Sequence, residues 1–226
     1  MKQSLFALLT LFCFAAGAWG ETVRVRHDHD PWGKCEGELI IDQEGIEYRS
    51  AKKMDHNRKW IWQDIQSVDR KSPSRLSVLT YEDQKLRLGQ DKVFDFELLS
   101  SHRTFSDQTL ELISGKLKKP VTDRVTDPID AEYQVPAKHK HTLGGCEGTL
   151  YFGPEYSVYD SEDASDSRKW KKDRDVANVW SSQRYELEIR TYEENRRNFD
   201  KMRVFRFQLK EPLNQAYYEK LRRGLP

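Results

Sequence analysis

The sequence has few cysteines, almost no net charge and no long hydrophobic run. Its three cysteines in 226 residues (Cys13, Cys35 and Cys146) are too few for a disulfide-rich scaffold. The formal net charge of +1 argues against a nucleic-acid partner and against electrostatic capture by anionic lipid. The longest apolar stretch, residues 5–16, is shorter than the roughly 20 residues of a membrane span, so we expect no transmembrane segment.

The sequence also lacks the common catalytic motifs. Gly-x-Ser-x-Gly, the P-loop, His-Glu-x-x-His and the EF-hand loop are all absent. Scattered residues can still assemble an active site, so the absence of motifs leaves open whether the chain is an enzyme. It favours a non-catalytic protein.

Residues 1–20 have the pattern of a secretory signal peptide. Lys2 precedes the apolar run, and Ala18 and Gly20 place small residues at −3 and −1 of a cut before Glu21. Without Lys2, 37 basic residues face 37 acidic ones, so the mature chain would have no net charge. The pattern predicts an exported protein, periplasmic or secreted.

The remainder of the chain is a duplicated module. Residues 35–39 read Cys-Glu-Gly-Glu-Leu, and residues 146–150, at an offset of 111, read Cys-Glu-Gly-Thr-Leu. Other motifs recur at or within one residue of that offset: Arg-Lys-Trp at 58–60 and 168–170, Thr-Tyr-Glu at 80–82 and 191–193, and Phe-x-Phe at 94–96 and 205–207. We therefore predict a first repeat over residues 21–117, a linker over 118–131 and a second repeat over 132–226.

Apolar residues alternate with polar ones through most of each repeat, which predicts strands. We expect first-repeat strands near residues 23–29, 35–41, 46–49, 60–65, 76–81, 85–88 and 93–99. Apolar residues spaced by three and four then predict a helix at residues 104–117, and at 213–221 in the second repeat. The expected fold is mostly β: two tandem small antiparallel barrels or sandwiches of about seven strands, each capped by a C-terminal helix.

Each half resembles bacterial pleckstrin-homology-like (PH-like) and GRAM-like domains. The resemblance lies in the strand order and in the Gly-x-Leu, Asp-Ile-x-x-Val and Phe-x-Phe-x-Leu strands. It implies a PH-like fold over nearly the whole mature chain. Phosphoinositide-binding members of that superfold carry clustered basic residues around the first hairpin. This chain has Asp-Pro-Trp-Gly-Lys at 30–34 and Thr-Leu-Gly-Gly at 142–145, so we do not expect phosphoinositide binding.

A His-x-His pair followed by a cysteine occurs once in each repeat. The residues are His27, His29 and Cys35, and His139, His141 and Cys146. Histidines two apart on a strand point to one face, and a short turn then makes Cys35 a cross-strand neighbour of His29. The same argument brings Cys146 to His139 and His141. Two imidazoles and a thiolate are ligands for zinc or copper, although the spacing is not an established metal signature and no fourth ligand is evident.

Two other interpretations of this cluster remain open. Cys35 lies on the same predicted strand face as Gly37, Leu39 and Ile41, which favours a small buried side chain with the histidine packing beside it. Alternatively Cys35 and Cys146, the only cysteines after residue 20, could form a disulfide in an exported protein. Their predicted inward orientation, each toward its own repeat, makes that pairing awkward.

Three tryptophans are candidate partner-binding residues. Trp60, Trp62 and Trp170 could form an exposed aromatic platform, or they could pack inside the repeats. The loop at residues 55–58 and His102 are interpreted as solvated. The leading hypothesis is an exported interaction module that binds a protein or peptide through loops and strand edges. The alternative is a metal-binding or metal-sensing protein with one His-x-His plus cysteine site per repeat; the sequence identifies neither the partner nor the biological process.

Overall fold

The computed structural model describes residues 20–28, 33–83, 90–100, 103–117, 119–194 and 202–225. The protein is mostly β. The elements of the first half are β1 (Glu21–Asp28), β2 (Lys34–Ile41), β3 (Gly45–Ser50), β4 (Arg58–Ile61), β5 (Ile65–Ser72), β6 (Arg75–Asp83), β7 (Asp91–Leu98) and helix α1 (Asp107–Leu117). Two single 3-10 turns, Met54–His56 and Trp62–Asp64, flank β4.

The second half repeats this order of elements. After a two-residue strand β8 (Thr122–Asp123), it consists of β9 (Tyr133–Lys140), β10 (Gly145–Phe152), β11 (Tyr156–Ser161), β12 (Arg168–Lys171), the one-turn helix α2 (Lys172–Asp175), β13 (Val176–Trp180), β14 (Glu186–Glu194), β15 (Met202–Leu209) and α3 (Gln215–Arg223). Equivalent strands start 110 to 112 residues apart, so the duplication seen in the sequence is also present in the structure. No helix within the described ranges has the length and hydrophobicity that crossing a bilayer requires.

The described strands form one continuous sheet of fifteen strands. The first strand of each half is central, because β1 pairs with both β2 and β7 and β9 pairs with both β10 and β15. The order is β13-β14-β15-β9-β10-β11-β12-β8-β5-β6-β7-β1-β2-β3-β4. The two halves therefore have the same internal strand order and are joined through β8.

The segment predicted as a linker takes part in the sheet. Strand β8 pairs in parallel with β5 of the first half and antiparallel with β12 of the second. Ion pairs surround this junction: Arg124 bonds both carboxylate oxygens of Asp69, at 2.9 and 2.7 Å, and Arg70 lies 3.3 Å from Asp123. The connection between the halves is therefore paired along its backbone and through its side chains.

Each half has its own hydrophobic core. On β2, Leu39 and Ile41 are fully buried while Glu36 and Glu38 are exposed, which confirms the predicted alternation. The helices contribute to these cores: Leu110 and Ile113 of α1 belong to the first core, and α3 contributes Tyr218 and Leu221 to the second. Alternation along the strands thus determines which side chains fill each core.

The sequence pattern was wrong about one strand and could not be checked on another. A single strand was expected over residues 60–65, but β4 ends at Ile61, Trp62–Asp64 forms a 3-10 turn, and a separate strand follows at Ile65–Ser72. The Asp64 carboxylate accepts a hydrogen bond from the Ile61 amide, which stabilises this corner. The strand expected at residues 85–88 lies outside the described residues, and β6 pairs with β5 and β7.

Candidate metal centre

A β-hairpin brings the second-half histidines to the cysteine. The β9–β10 register places His139 directly opposite Cys146. The equivalent β1–β2 register places His27 opposite Cys35. The sequence had predicted His29 as the cross-strand neighbour of Cys35, and that was wrong. His29 itself lies outside the described residues.

Asp166, from the loop before β12, completes the cluster in the second half. Its carboxylate oxygens lie 3.0 and 2.9 Å from His139 Nδ1, and Oδ2 lies 3.2 Å from His141 Nε2. One donor atom from each of the three side chains falls within 4.8 Å of the other two. The three side chains thus converge on one point, although Asp166 is 25 residues or more from either histidine in sequence.

The spacing of these atoms suits a tetrahedral metal. Bonds of about 2.0–2.1 Å, typical of zinc, separate neighbouring ligand atoms by roughly 3.3 Å in a tetrahedron. The distances of 2.9 to 3.2 Å between the imidazole nitrogens and the carboxylate are close to that edge length. A tetrahedral metal would require these two His–Asp separations to lengthen by a few tenths of an ångström.

The cluster is buried on one side and open on the other. His139 and Asp166 are each 6% exposed, whereas the His141 side chain is 38% exposed. Burial alone would raise the pKa of Asp166, but the hydrogen bond from His139 and the positive charges of the two histidines outweigh it, and the pKa is lowered. The carboxylate is therefore ionised at neutral pH, as metal coordination requires.

Cys146 lies at the edge of the same cluster. Burial and the negative charges of Asp166 and Asp163 raise the pKa of its thiol, and its side chain is within hydrogen-bonding reach of Asp166. The Tyr159 hydroxyl donates to the Cys146 carbonyl at 2.5 Å and accepts from the His139 amide at 3.3 Å. This bridge holds the two strands in register beneath the site, while the Cys146 sulfur itself is not among the donor atoms that converge within 4.8 Å.

The first half does not reproduce the centre. Among the described residues it contains no comparable group of three donors. His27 is buried, its Nδ1 lies 3.0 Å from the Asp95 carbonyl oxygen, and burial lowers its pKa. The first repeat therefore holds its histidine in neutral form against the core.

Sequence reasoning missed Asp166 and misjudged its counterpart. Aligning the two Arg-Lys-Trp motifs places Asp166 opposite His56, which had been interpreted as part of a solvated loop. Asp55 and Asn57 are exposed, as that interpretation predicted, but His56 is partly buried and its Nδ1 lies 3.1 Å from Cys35 Sγ. The local one-residue slip in the repeat was the signal that could have connected the two positions.

The three candidate tryptophans are buried. Trp60 and Trp170 are 2% and 1% exposed and donate their indole N–H groups to Glu82 and Glu193 respectively, both at 2.6 Å. Trp62 is 8% exposed and donates to the Gln43 carbonyl oxygen. The environments of all three match the packing interpretation.

Both described cysteines are free thiols. Cys35 packs against the first core, and Cys146 lies beside the second-half cluster. The disulfide interpretation therefore does not describe this structure, and each thiol belongs to its own half, as their alternation pattern indicated.

Comparison with known proteins identifies no family. No protein-family model matches the sequence, and no curated protein matches it. A solved structure that matches is the structure of the Spt16D Pob3N heterodimer, with a TM-score of 0.35 and 10% identity over 87% of this chain and 99% of that chain. A likeness at this level says nothing about function, which is inferred here from the chain's own residues.

Proposed function

We propose that this protein binds a divalent transition metal, zinc or copper, in its second half. The observation that carries the proposal is the convergence of His139, His141 and Asp166 on one point, with donor atoms within 4.8 Å of one another. Imidazole and carboxylate are ligands that zinc and copper accept. The exposed His141 marks the side from which the ion and a further ligand would enter.

Each protein group has a separate task in this proposal. Asp166 supplies the negative charge that offsets the cation, while its burial beside His139 limits competition from water. If Cys146 joined as a fourth ligand it would lose its proton, since metal binding requires the thiolate. The site then has three or four protein ligands, which suits retention or sensing of the ion.

The metal proposal predicts about one zinc ion per chain. Asp166→Ala is expected to weaken zinc binding by at least about 100-fold, because even residues that only orient ligands contribute 10- to 100-fold. Isothermal titration of untagged protein with zinc chloride measures both stoichiometry and affinity. Zinc should also raise the midpoint of thermal unfolding, since it binds only the folded site.

A matched control comes from the other repeat. His27→Gln, at the position equivalent to His139, should leave zinc affinity unchanged because His27 is turned toward the Asp95 carbonyl. The proposal fails if zinc does not bind, or if Asp166→Ala and His27→Gln bind it equally well. In that case the hydrogen bonds of the His–Asp–His cluster serve only to fix the position of the loop before β12.

We further infer that the two halves are PH-like repeats, residues 21–117 and 132–226, of an exported protein. The support is the shared strand order, the alternation that fills each core, and the signal-peptide pattern of residues 1–20. Intact-mass measurement of the protein from the envelope or medium tests the export proposal, which requires a mature chain that starts at Glu21.

A second candidate function is binding of a protein or peptide partner along the edge strand β13. In the first half the equivalent strand, β5, is paired on its outer side by β8; β13 has no such neighbour among the described strands. Two exposed aromatic residues, Trp180 at 46% and Tyr185 at 51%, lie at and just beyond its end. Unpaired backbone groups beside exposed aromatics favour addition of an extended strand.

Site-directed photo-crosslinking tests the edge-strand candidate. A benzophenone amino acid at Trp180 should yield a discrete adduct in the native envelope fraction. The same probe at Val93, which is 41% exposed on the interior strand β7, should not. Equal labelling from both positions, or none from either, would contradict binding at this edge.

A further inference from the structure

The first repeat contains a cysteine–histidine pair at the place where the second repeat holds its carboxylate. Cys35 Sγ and His56 Nδ1 are 3.1 Å apart, and His56 Nε2 lies 3.9 Å from Asp55 Oδ2. Cys35 is partly buried against the first core, and the His56 side chain is 24% exposed. The thiol therefore has a proton acceptor in contact and lies near the surface.

We propose that Cys35 is a nucleophilic thiol that undergoes exchange with small disulfides, with His56 as its proton acceptor. The thiol proton moves to His56 Nδ1, and the thiolate attacks one sulfur of the disulfide. A bond forms between Cys35 Sγ and that sulfur as the disulfide's own S–S bond breaks. The departing thiolate takes the proton from His56, so one thiol and one disulfide yield a mixed disulfide and a free thiol.

The surroundings of Cys35 favour this chemistry. Among the described residues, the titratable groups near Cys35 include His27 from β1, Tyr48 from β3, and Asp55 and His56 from the 3-10 turn before β4. The imidazole in contact stabilises the thiolate once it is protonated.

The second repeat provides an internal comparison. Cys146 occupies the same position on its hairpin, but the residue equivalent to His56 is Asp166. A carboxylate cannot accept the thiol proton at neutral pH, and its charge opposes a thiolate in the absence of metal. The two repeats thus differ by one residue at the position that decides whether the thiol is activated. The inference concerns the first half only and does not rest on metal binding in the second.

Single-cysteine chains test the proposal with the full-length protein. In a Cys13→Ser background, Cys146→Ser leaves Cys35 and Cys35→Ser leaves Cys146. The release of coloured thiolate from dithiobis-nitrobenzoate reports the reaction rate. In metal-free buffer near neutral pH we expect Cys35 to react about tenfold faster than Cys146, and the two to react equally in denaturant.

Variants at His56 identify its role. His56→Gln should lower the Cys35 rate by roughly fivefold near pH 6. His56→Asp, which installs the second-repeat residue, should slow Cys35 further. Mass spectrometry with oxidised glutathione should show one added glutathione on Cys35. The proposal is overturned if Cys35 reacts no faster than Cys146, or if a folded His56→Gln variant keeps the full Cys35 rate; the first comparison does not depend on the His56 variants folding.

Discussion

Glu193→Gln is expected to lower the free energy of unfolding by about 3–5 kcal/mol, the range for removing one member of a buried ion pair. Glu193 is 2% exposed and accepts the Trp170 indole N–H at 2.6 Å. It also lies 3.4 Å from Arg168 Nε and 3.4 Å from Arg203. Arg168 is itself only 2% exposed, and burial lowers its pKa. An amide keeps the tryptophan bond but leaves that guanidinium without its counter-charge.

The first repeat supplies the matched control. Glu82→Gln alters the equivalent bond, Trp60 to Glu82 at 2.6 Å, but Glu82 is exposed and its partner Trp60 is neutral. Its loss should lower stability by about 1 kcal/mol or less. Urea unfolding followed by circular dichroism measures both variants. Adding Arg168→Met to Glu193→Gln should recover much of the stability, because no fully buried charge is then left unpaired; Arg203, the other partner, is 36% exposed. Similar losses for Glu193→Gln and Glu82→Gln would contradict this account.

Gly148→Ala is expected to lower the free energy of unfolding by about 3 kcal/mol, the upper end for overpacking a well-packed site. A Cβ at Gly148 would lie 2.9 Å from the Tyr159 ring and press on the Asp160 carbonyl oxygen. The equivalent Gly37→Ala should behave alike, since its Cβ would lie 2.8 Å from the Tyr48 ring. In both copies the added Cβ would also meet backbone atoms of the neighbouring strand, and these cannot move aside as a flexible side chain can. This close approach is the physical reason that glycine follows Cys-Glu in both copies.

Gly115→Ala should change the free energy of unfolding in the opposite direction. Gly115 lies within α1, and a Cβ there would meet no atom within 4 Å. Alanine should therefore raise the free energy of unfolding by about 0.8–1 kcal/mol through helix propensity. Chemical unfolding of the three alanine variants side by side checks the prediction. A loss at Gly115 comparable to that at Gly148 would show that close packing is not the cause.

The sequence by itself determined the features that depend on nearby residues. Alternation of apolar and polar residues along β2 identified its buried face, because successive side chains of a strand point to opposite sides. The constant offset identified the duplication, and the short turn after the His-x-His pair indicated that Cys146 lies near His139 and His141, although the exact register came from the structure. These inferences span a few residues or compare one copy with the other.

The tertiary structure decided what depends on residues distant in sequence. Asp166 meets His139 across 27 residues, and His56 meets Cys35 across 21, because the loop before β12 or β4 folds back over the hairpin. No local period encodes that contact, and a polar loop residue has the same sequence pattern whether it is solvated or bonded. The pairing of β8 with strands of both halves could not be predicted from the sequence either, because a two-residue strand has no periodicity to detect.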